Sequence, residues 1–270
     1  MKTDVLVIGS SAAGLVAATT SRRVYPDKSV TVITKQPKTL IPCGIPYIFG
    51  TVHSSDNDIL PAEKAFEASG INVVHDEVLS IDCKAKSVQT KNEGTFEYDK
   101  LVLGTGSTPY HPDWLPGSDL KNVFTVPKDK VYLDEMQKDL SDCKRVIAIG
   151  AGFIGVELSD ELKKDGKDVT LIEKLPHILG LAFDEDISIR AEELLISRGV
   201  NIITGTGVTE ILGTDKVEGV KLENGETIDA DAVILAMGYR PNVELAKQCN
   251  IPLNKDGFII VDEYMRSEAP

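Results

Sequence analysis

The chain has no apolar run approaching the ~18–20 residues that a helical membrane span needs, so no membrane partner is expected. It carries one tryptophan and only four histidines in 270 residues. His53, His75, His111 and His177 form no H-E-x-x-H or comparable cluster, and no metal site is expected. Cysteine is as scarce: Cys43, Cys83, Cys143 and Cys249 lie far apart, with no C-x-x-C pair and no zinc spacing. A stapling disulfide framework is therefore not expected. Positive charge is also short, 29 Lys and Arg against 42 Asp and Glu, a formal net charge of −13. Nucleic acid is excluded as the expected partner, because its affinity rests largely on Lys and Arg against phosphates. Anionic cofactors stay open, since backbone amides can hold a phosphate whatever the overall charge. The N-terminus enters a strand at once (Asp4-Val5-Leu6-Val7-Ile8), without the basic start and cleavage site of a signal peptide, so a cytoplasmic location is the expectation.

What is present is an ordinary globular composition, 42% hydrophobic and 26% charged, in a length that suits two domains. Val5-Leu6-Val7-Ile8 reads as a strand buried on both faces. Gly9 and Gly14 bracket a tight turn, and Leu15-Val16-Ala17-Ala18-Thr19 begins an Ala-rich helix. Gly9-x-Ser11-x-x-Gly14 departs from G-x-G-x-x-G at its middle glycine. A small residue still lets the backbone approach a pyrophosphate, and the helix start supplies amides and a positive dipole. With Ser29-Val30-Thr31-Val32-Ile33 as the next parallel strand, a dinucleotide is expected against Gly9, Ser11, Ala12, Ala13 and Gly14. The acid that should come about 20 residues on, to hold ribose hydroxyls, falls instead near Thr34 and Lys35. The Thr34 hydroxyl or the Lys35 amine is left to take that role.

Next comes Pro42-Cys43-Gly44-Ile45-Pro46-Tyr47, the stretch expected to carry the chemistry. Pro42 and Pro46 stiffen it and Gly44 permits close approach of a flat ligand. If Cys43 opens a helix, its thiol is activated by the helix terminus. The competing reading is a small buried hydrophobe, the commonest fate of a free cysteine. No second cysteine lies within five residues, so Cys43 would cycle with a partner thiol or an oxidised oxygen form. Pro61 to Ser69 reads as a helix ended by Gly70. The pieces 71–74, 78–81 and 87–90 read as a small antiparallel insert. Tyr98 to Leu103 is a strand running into Gly104-Thr105-Gly106, and the proline-rich loop around Trp114 is a plausible domain boundary.

A second unit opens at Lys144. Gly150-x-Gly152-x-x-Gly155 keeps all three glycines, its helix comes next, and the strand Asp168-Val169-Thr170-Leu171-Ile172 ends in Glu173. This is the full dinucleotide fingerprint. Glu173 favours NADH because it repels a 2′-phosphate, while Lys174 leaves NADPH open. Asp186 to Arg198 reads as a helix, and Asn224-Gly225 as the turn of a hairpin. A buried strand at 232–236 leads into Met237-Gly238-Tyr239-Arg240-Pro241-Asn242. The two units look duplicated.

These motifs together resemble the two-dinucleotide-fold flavoproteins of the pyridine nucleotide-disulfide oxidoreductase superfamily, above all the coenzyme A disulfide reductase and NADH oxidase group. The resemblance covers essentially the whole chain. It implies an α/β protein of two Rossmann-like three-layer domains, an FAD fold (1–113 and 241–270) with an inserted NAD(P) fold (114–240). It implies FAD and NAD(P)H as cofactors, with further contacts at Pro42, Val78, Thr105, Gly106, Phe153, Ile154 and Gly238, and Glu157 facing the flavin–nicotinamide contact. Cys43 would be the single redox-active cysteine, reducing a low-molecular-weight disulfide or persulfide. Arg23 and Thr39 match positions that meet coenzyme A. Alternatives on the same scaffold are an NADH oxidase or an electron-transfer reductase, neither of which needs Cys43; alternatives of another class are a nucleotide-binding redox sensor or an inactive fragment that binds NAD weakly and FAD not at all. The chain departs from the pattern in three places. Ala12 stands where peroxidases and water-forming oxidases carry a histidine. The ribose acid is absent. At Glu268-Ala269-Pro270 the chain stops before the last FAD motif and the C-terminal dimerisation domain, so it reads as truncated, and the family's homodimer is not expected of it.

Overall fold

The computed structural model describes residues 1–269 and divides into two compact units; Pro270, the last residue of the expected 241–270 return segment, lies outside the described residues. Unit 1 comprises residues 1–41, 59–108 and the segment from Arg240 onward; unit 2 comprises Pro42–Asp58 and Pro109–Tyr239. The Cys43 stretch thus groups with the second unit, although chain order places it within the first.

In unit 1, β1 (Lys2–Ile8), β2 (Val30–Thr34), β3 (Asn72–His75), β4 (Val78–Asp82), β5 (Ser87–Thr90) and β6 (Thr95–Leu103) form one six-stranded sheet in the order β3-β2-β1-β6-β5-β4. The four strands β3, β2, β1 and β6 are parallel, and β6-β5-β4 are antiparallel. The expected antiparallel insert is therefore smaller than the sequence suggested. The 71–74 piece is β3, drawn to the sheet edge by its parallel register with β2. β6 serves both halves. Its start alternates, with Phe96 and Tyr98 buried and Glu97 exposed, where it pairs with β5; Leu101-Val102-Leu103 then runs apolar beside β1.

Successive residues of β1 and β2 point to opposite faces. Val7 and Val32 pack against Ala18 of α1 (Ala12–Val24) and Phe66 of α2 (Ala62–Ala68). Leu6, Ile8 and Ile33 pack on the other side with Ile81, Val88 and Phe96, and with Val243, Ala246 and Ile251 of the return segment. That segment is further fixed by a disulfide between Cys83 and Cys249, 166 residues apart. The expectation of no stapling disulfide is overturned for this one pair, while Cys43 and Cys143 are free: spacing in sequence says nothing of two positions brought together by a return segment.

Unit 2 holds a five-stranded parallel sheet of β7 (Val123–Phe124), β8 (Arg145–Ile149), β9 (Asp168–Ile172), β10 (Asn201–Ile203) and β14 (Ala232–Leu235), in the order β10-β9-β8-β14-β7. An antiparallel sheet of β11 (Val208–Gly213), β12 (Val217–Leu222) and β13 (Thr227–Asp229) adds Ile211, Val220 and Leu222 to the core formed by Ile147, Val233 and Leu235. The β12–β13 connection turns at Asn224-Gly225, as expected, with Gly225 at φ +85°. Helices α3 (Lys130–Ser141), α4 (Phe153–Lys164) and α5 (Glu185–Ser197) complete the unit. The capped start of α3 is explicit: the Asp129 carboxylate accepts the Tyr132 N–H. A short helix, α6 (Glu244–Gln248), lies in the return segment of unit 1. No helix among the described residues is long and apolar enough to cross a membrane.

Candidate functional site

The second glycine turn is built by three glycines with three different surroundings. Gly150 sits at φ +98°, and a Cβ there would lie 2.6 Å from the Ala236 carbonyl oxygen. A Cβ on Gly155 would lie 1.9 Å from the Gly150 carbonyl oxygen, so helix α4 can close on the turn only without one. Gly152 is different: its backbone is ordinary (φ −72°, ψ −175°), and nothing lies within 4 Å of its missing Cβ. The first two glycines serve packing; the third leaves open space at the start of α4, where unpaired amides and the helix dipole favour a phosphate. Gly238, at φ +98°, likewise has nothing within 4 Å. Glu173, at the end of β9, accepts the Ala151 N–H at 2.7 Å and the Leu175 N–H at 2.9 Å. Lys174 is taken up by Glu223 at 3.0 Å. Phe153 is exposed and meets Phe183 edge-on at 5.8 Å; Ile154 is half-buried.

The first turn repeats this construction. A Cβ on Gly9 (φ +104°) would meet the Gly104 carbonyl oxygen at 2.2 Å, and one on Gly14 the Gly9 carbonyl oxygen at 1.9 Å. Ser11 holds φ −77° and ψ −168°, within several degrees of Gly152, which explains the departure from three glycines: that position never needed a positive φ. Ala12 and Ala13 open α1. Thr34, in the place of the missing acid, is buried and joined through Ser10 Oγ (2.8 Å) to Thr39 (2.6 Å from Ser10). The three hydroxyls line a cavity of about 300 Å³ with Gln36, Lys38 and His75. Lys35 is exposed and only loosely paired with Glu77 at 3.9 Å. Thr39 thus belongs beside the first turn, while Arg23 is exposed in the last turn of α1. Val78 starts β4 against the core. The Thr105 hydroxyl donates to the Asn242 carbonyl at 2.7 Å, and Gly106 (φ +68°) has open space around its missing Cβ.

Cys43 is exposed, against the reading of a buried hydrophobe, but the residues after it are firmly held. The next element is a five-residue 3₁₀ helix, Ile45–Phe49, whose Ile45, Pro46, Ile48 and Phe49 are buried. It is too short to act as the expected activating helix terminus, because the proline at its start and Gly50 at its end confine it. Its anchors lie in unit 2. Gln137 of α3 donates to the carbonyls of Ile48 and His53, both at 3.0 Å. Thr51 donates to Glu161 of α4 at 2.6 Å, and Gly50 approaches the Glu161 backbone so closely that a Cβ would lie 2.3 Å from its carbonyl oxygen. Glu161 is buried and also paired with Lys164 at 2.6 Å. One turn earlier, Glu157 is pushed to a higher pKa by burial and by the charge of Glu161. The Cys43 segment is therefore docked on the helix that carries the second glycine turn.

Asp58 closes this segment. It is 5% exposed, a Cβ on Gly44 would fall 1.7 Å from its Oδ1, and its Oδ2 has no hydrogen-bond partner. Burial pushes its carboxyl up to about 6. Asp58, Thr51 and Glu161 were missed in the sequence, whereas Asn242 stood in the 237–242 motif without an assigned role. Only Glu161 carried a signal, being four residues after Glu157 on the same helix face. Among the described residues no cluster of His, Cys, Asp and Glu is placed to hold a metal.

Two strand–turn–helix units of the dinucleotide-binding kind, with an exposed cysteine on a segment packed against the helix of the second, are the marks of a two-dinucleotide-fold oxidoreductase. The chain belongs to the pyridine nucleotide-disulphide oxidoreductase family, whose model matches residues 3–270. It is 34% identical to an NADH oxidase of Methanocaldococcus jannaschii, over 98% of this chain and 60% of that protein. It is 35% identical to a CoA-dependent NAD(P)H sulfur oxidoreductase of Pyrococcus abyssi, over 100% of this chain and 61% of that protein. Among solved structures, the NAD-dependent persulfide reductase from A. fulgidus superposes with a TM-score of 0.90 at 33% identity, over 99% of this chain and 51% of that one. The chain thus spans about 60% of the length of the curated relatives it matches. FAD and NAD(P)H are the cofactors of the family, and each of the two glycine turns ends at a helix start, its middle position, Ser11 or Gly152, having extended backbone that leaves room for a phosphate.

Proposed function

We propose that the protein is an NAD(P)H-dependent flavoprotein oxidoreductase that reduces a low-molecular-weight disulfide or persulfide, of the coenzyme A type, through Cys43. The observation that carries this reading is the exposed Cys43 on a buried, anchored support docked against α4. The CoA-dependent relative and the persulfide reductase support the substrate class. The first turn, Gly9 to Gly14, is the seat for FAD; the second, Gly150 to Gly155, is the seat for the nicotinamide cofactor. FAD, when bound, accepts hydride from the nicotinamide and passes on electron pairs.

Cys43 as thiolate attacks one sulfur of the substrate disulfide; the other sulfur leaves as a thiolate and takes a proton from solvent. Two electrons derived from NAD(P)H then cleave the mixed disulfide on Cys43, releasing the second thiol and restoring the Cys43 thiolate. The balance is one disulfide, one NAD(P)H and one proton giving two thiols and one NAD(P)⁺. Glu173 presents its charge beside the second turn and Lys174 is occupied by Glu223, an arrangement that favours NADH.

The test is NADH oxidation with coenzyme A disulfide as acceptor and added FAD, counting thiols released. The wild-type protein should release two thiols per NADH, and Cys43→Ser should lose thiol release while still binding NADH. Full turnover by Cys43→Ser would overturn the role of Cys43 and favour an oxidase or electron-transfer reductase.

A further inference from the structure

Cys83 and Cys249 belong to no glycine turn and lie outside the Cys43 segment, yet they join the middle segment of unit 1 to its return segment. Cys83 comes just after β4 and is half-buried between exposed Asp82 and Lys84, whereas Cys249 is 6% exposed in the core at the end of α6. The pair is placed for either redox state. Its Cα atoms are 5.9 Å apart, within disulfide reach, and the Cys249 sulfur is 3.7 Å from the Ile81 carbonyl, where a reduced thiol would donate.

The position of the pair gives that chemistry a consequence. α6 is laced to β4 by one side chain, Gln248, which accepts the Ile81 N–H at 3.0 Å and donates to the Leu79 carbonyl at 3.1 Å. Two residues before α6, Asn242 holds the 104–106 turn from three sides. Its side chain donates to the Thr105 carbonyl at 2.8 Å, its N–H donates to the Gly106 carbonyl at 2.9 Å, and its own carbonyl accepts the Thr105 hydroxyl at 2.7 Å. Gly104 in turn lies against Gly9 and Gly14. A continuous path of contacts within unit 1 therefore runs from the disulfide through α6 and Asn242 to the first glycine turn.

We propose that Cys83–Cys249 is a second thiol–disulfide exchange site, open to low-molecular-weight thiols and disulfides, whose closure fixes the return segment and with it the 104–106 turn. In closing, the accessible Cys83 thiolate attacks a small disulfide RSSR and releases RS⁻. The Cys249 thiolate then attacks the Cys83 sulfur of that mixed disulfide and releases the second RS⁻. The two cysteine sulfurs lose two electrons, RSSR gains them, and the two thiol protons leave on two RSH. Opening by two RSH is the reverse.

The test uses the full chain carrying Cys43→Ser, so that the exchanging thiols are those of the pair, equilibrated with oxidised or reduced glutathione. After oxidised glutathione, peptide mapping of the alkylated protein should find Cys83 and Cys249 blocked as one cross-linked pair; after reduced glutathione, both should be alkylated. Adding Cys249→Ser should leave Cys83 carrying one glutathione. Amide hydrogen exchange read on the same samples should rise about ten-fold or more on reduction at Ile81, Asn242 and Ile251, and stay unchanged at Ile172 and Ile203 of unit 2. Alkylation of both cysteines after oxidised glutathione would overturn the exchange site. Equal exchange at Asn242 in the two redox states would overturn the coupling to the turn. Neither readout involves NADH, a flavin or Cys43, so both are independent of the proposed activity.

Discussion

Two glycines only two residues apart should respond oppositely to the same substitution. Gly150→Ala places a Cβ at φ +98° and 2.6 Å from a backbone oxygen that β14 holds in place. The left-handed backbone alone costs about 1–2 kcal/mol, and relieving the overlap raises the total to about 2–4 kcal/mol. At 2–4 °C per kcal/mol for a chain of this size, the melting temperature should fall by roughly 5–15 °C. Gly152→Ala meets neither problem, because its φ is −72° and its Cβ direction is open. Alanine there should leave stability unchanged or raise it by up to about 1 kcal/mol through the unfolded chain. The same methyl, however, stands where a pyrophosphate must approach, so NADH affinity should fall at least about ten-fold, about 1.4 kcal/mol. Thermal unfolding and NADH fluorescence titration of both variants decide the matter. A Gly152→Ala protein that melts early, or that binds NADH as the wild type does, would refute the division of labour among the three glycines.

Three further outcomes concern the Cys43 segment. Thr51→Val removes the donor to buried Glu161; because Lys164 still compensates the charge, the loss should sit near the low end for such a bond, about 1.5 kcal/mol in denaturant unfolding, and Thr51→Ser should restore most of it. Asp58 binds its proton more tightly folded than unfolded, its carboxyl rising from the ordinary 3.8 to about 6 through burial. Its contribution is therefore whole below pH 4 and is lost as pH rises to 6, so Asp58→Asn should gain on the wild type between pH 4.5 and 7.5 by up to about 3 kcal/mol. Gly44→Ala forces that buried carboxylate aside and should change the alkylation rate of Cys43, measured by mass spectrometry, while leaving NADH binding intact.

The strands and both glycine turns were legible because they are local: an apolar run, a turn and a helix start within some fifteen residues. Ser11 was legible as a tolerable departure, and the structure supplies the reason in its backbone angles. The hydroxyl chain from Thr34 through Ser10 to Thr39 was only half legible, since Ser10 sits 24 residues before Thr34 and pairs with it only once β1 and β2 are side by side. Long-range partners were out of reach. Nothing near Cys83 announces Cys249, nothing near Thr51 announces Glu161, and the helix expected after Cys43 is cut to a 3₁₀ turn by Pro46 and Gly50. The edge position of β3 was missed for a related reason: four residues of mixed polarity do not reveal which strand they will meet.

The proposed function requires that the two turns hold two dinucleotides that exchange electrons. It is tested most directly by reconstituting the purified protein with FAD and titrating it with NADH under anaerobic conditions while recording the flavin absorption. Bleaching of the flavin band by about one equivalent of NADH is the expected result. A protein that takes up FAD but is not bleached, or that takes up none, would contradict it.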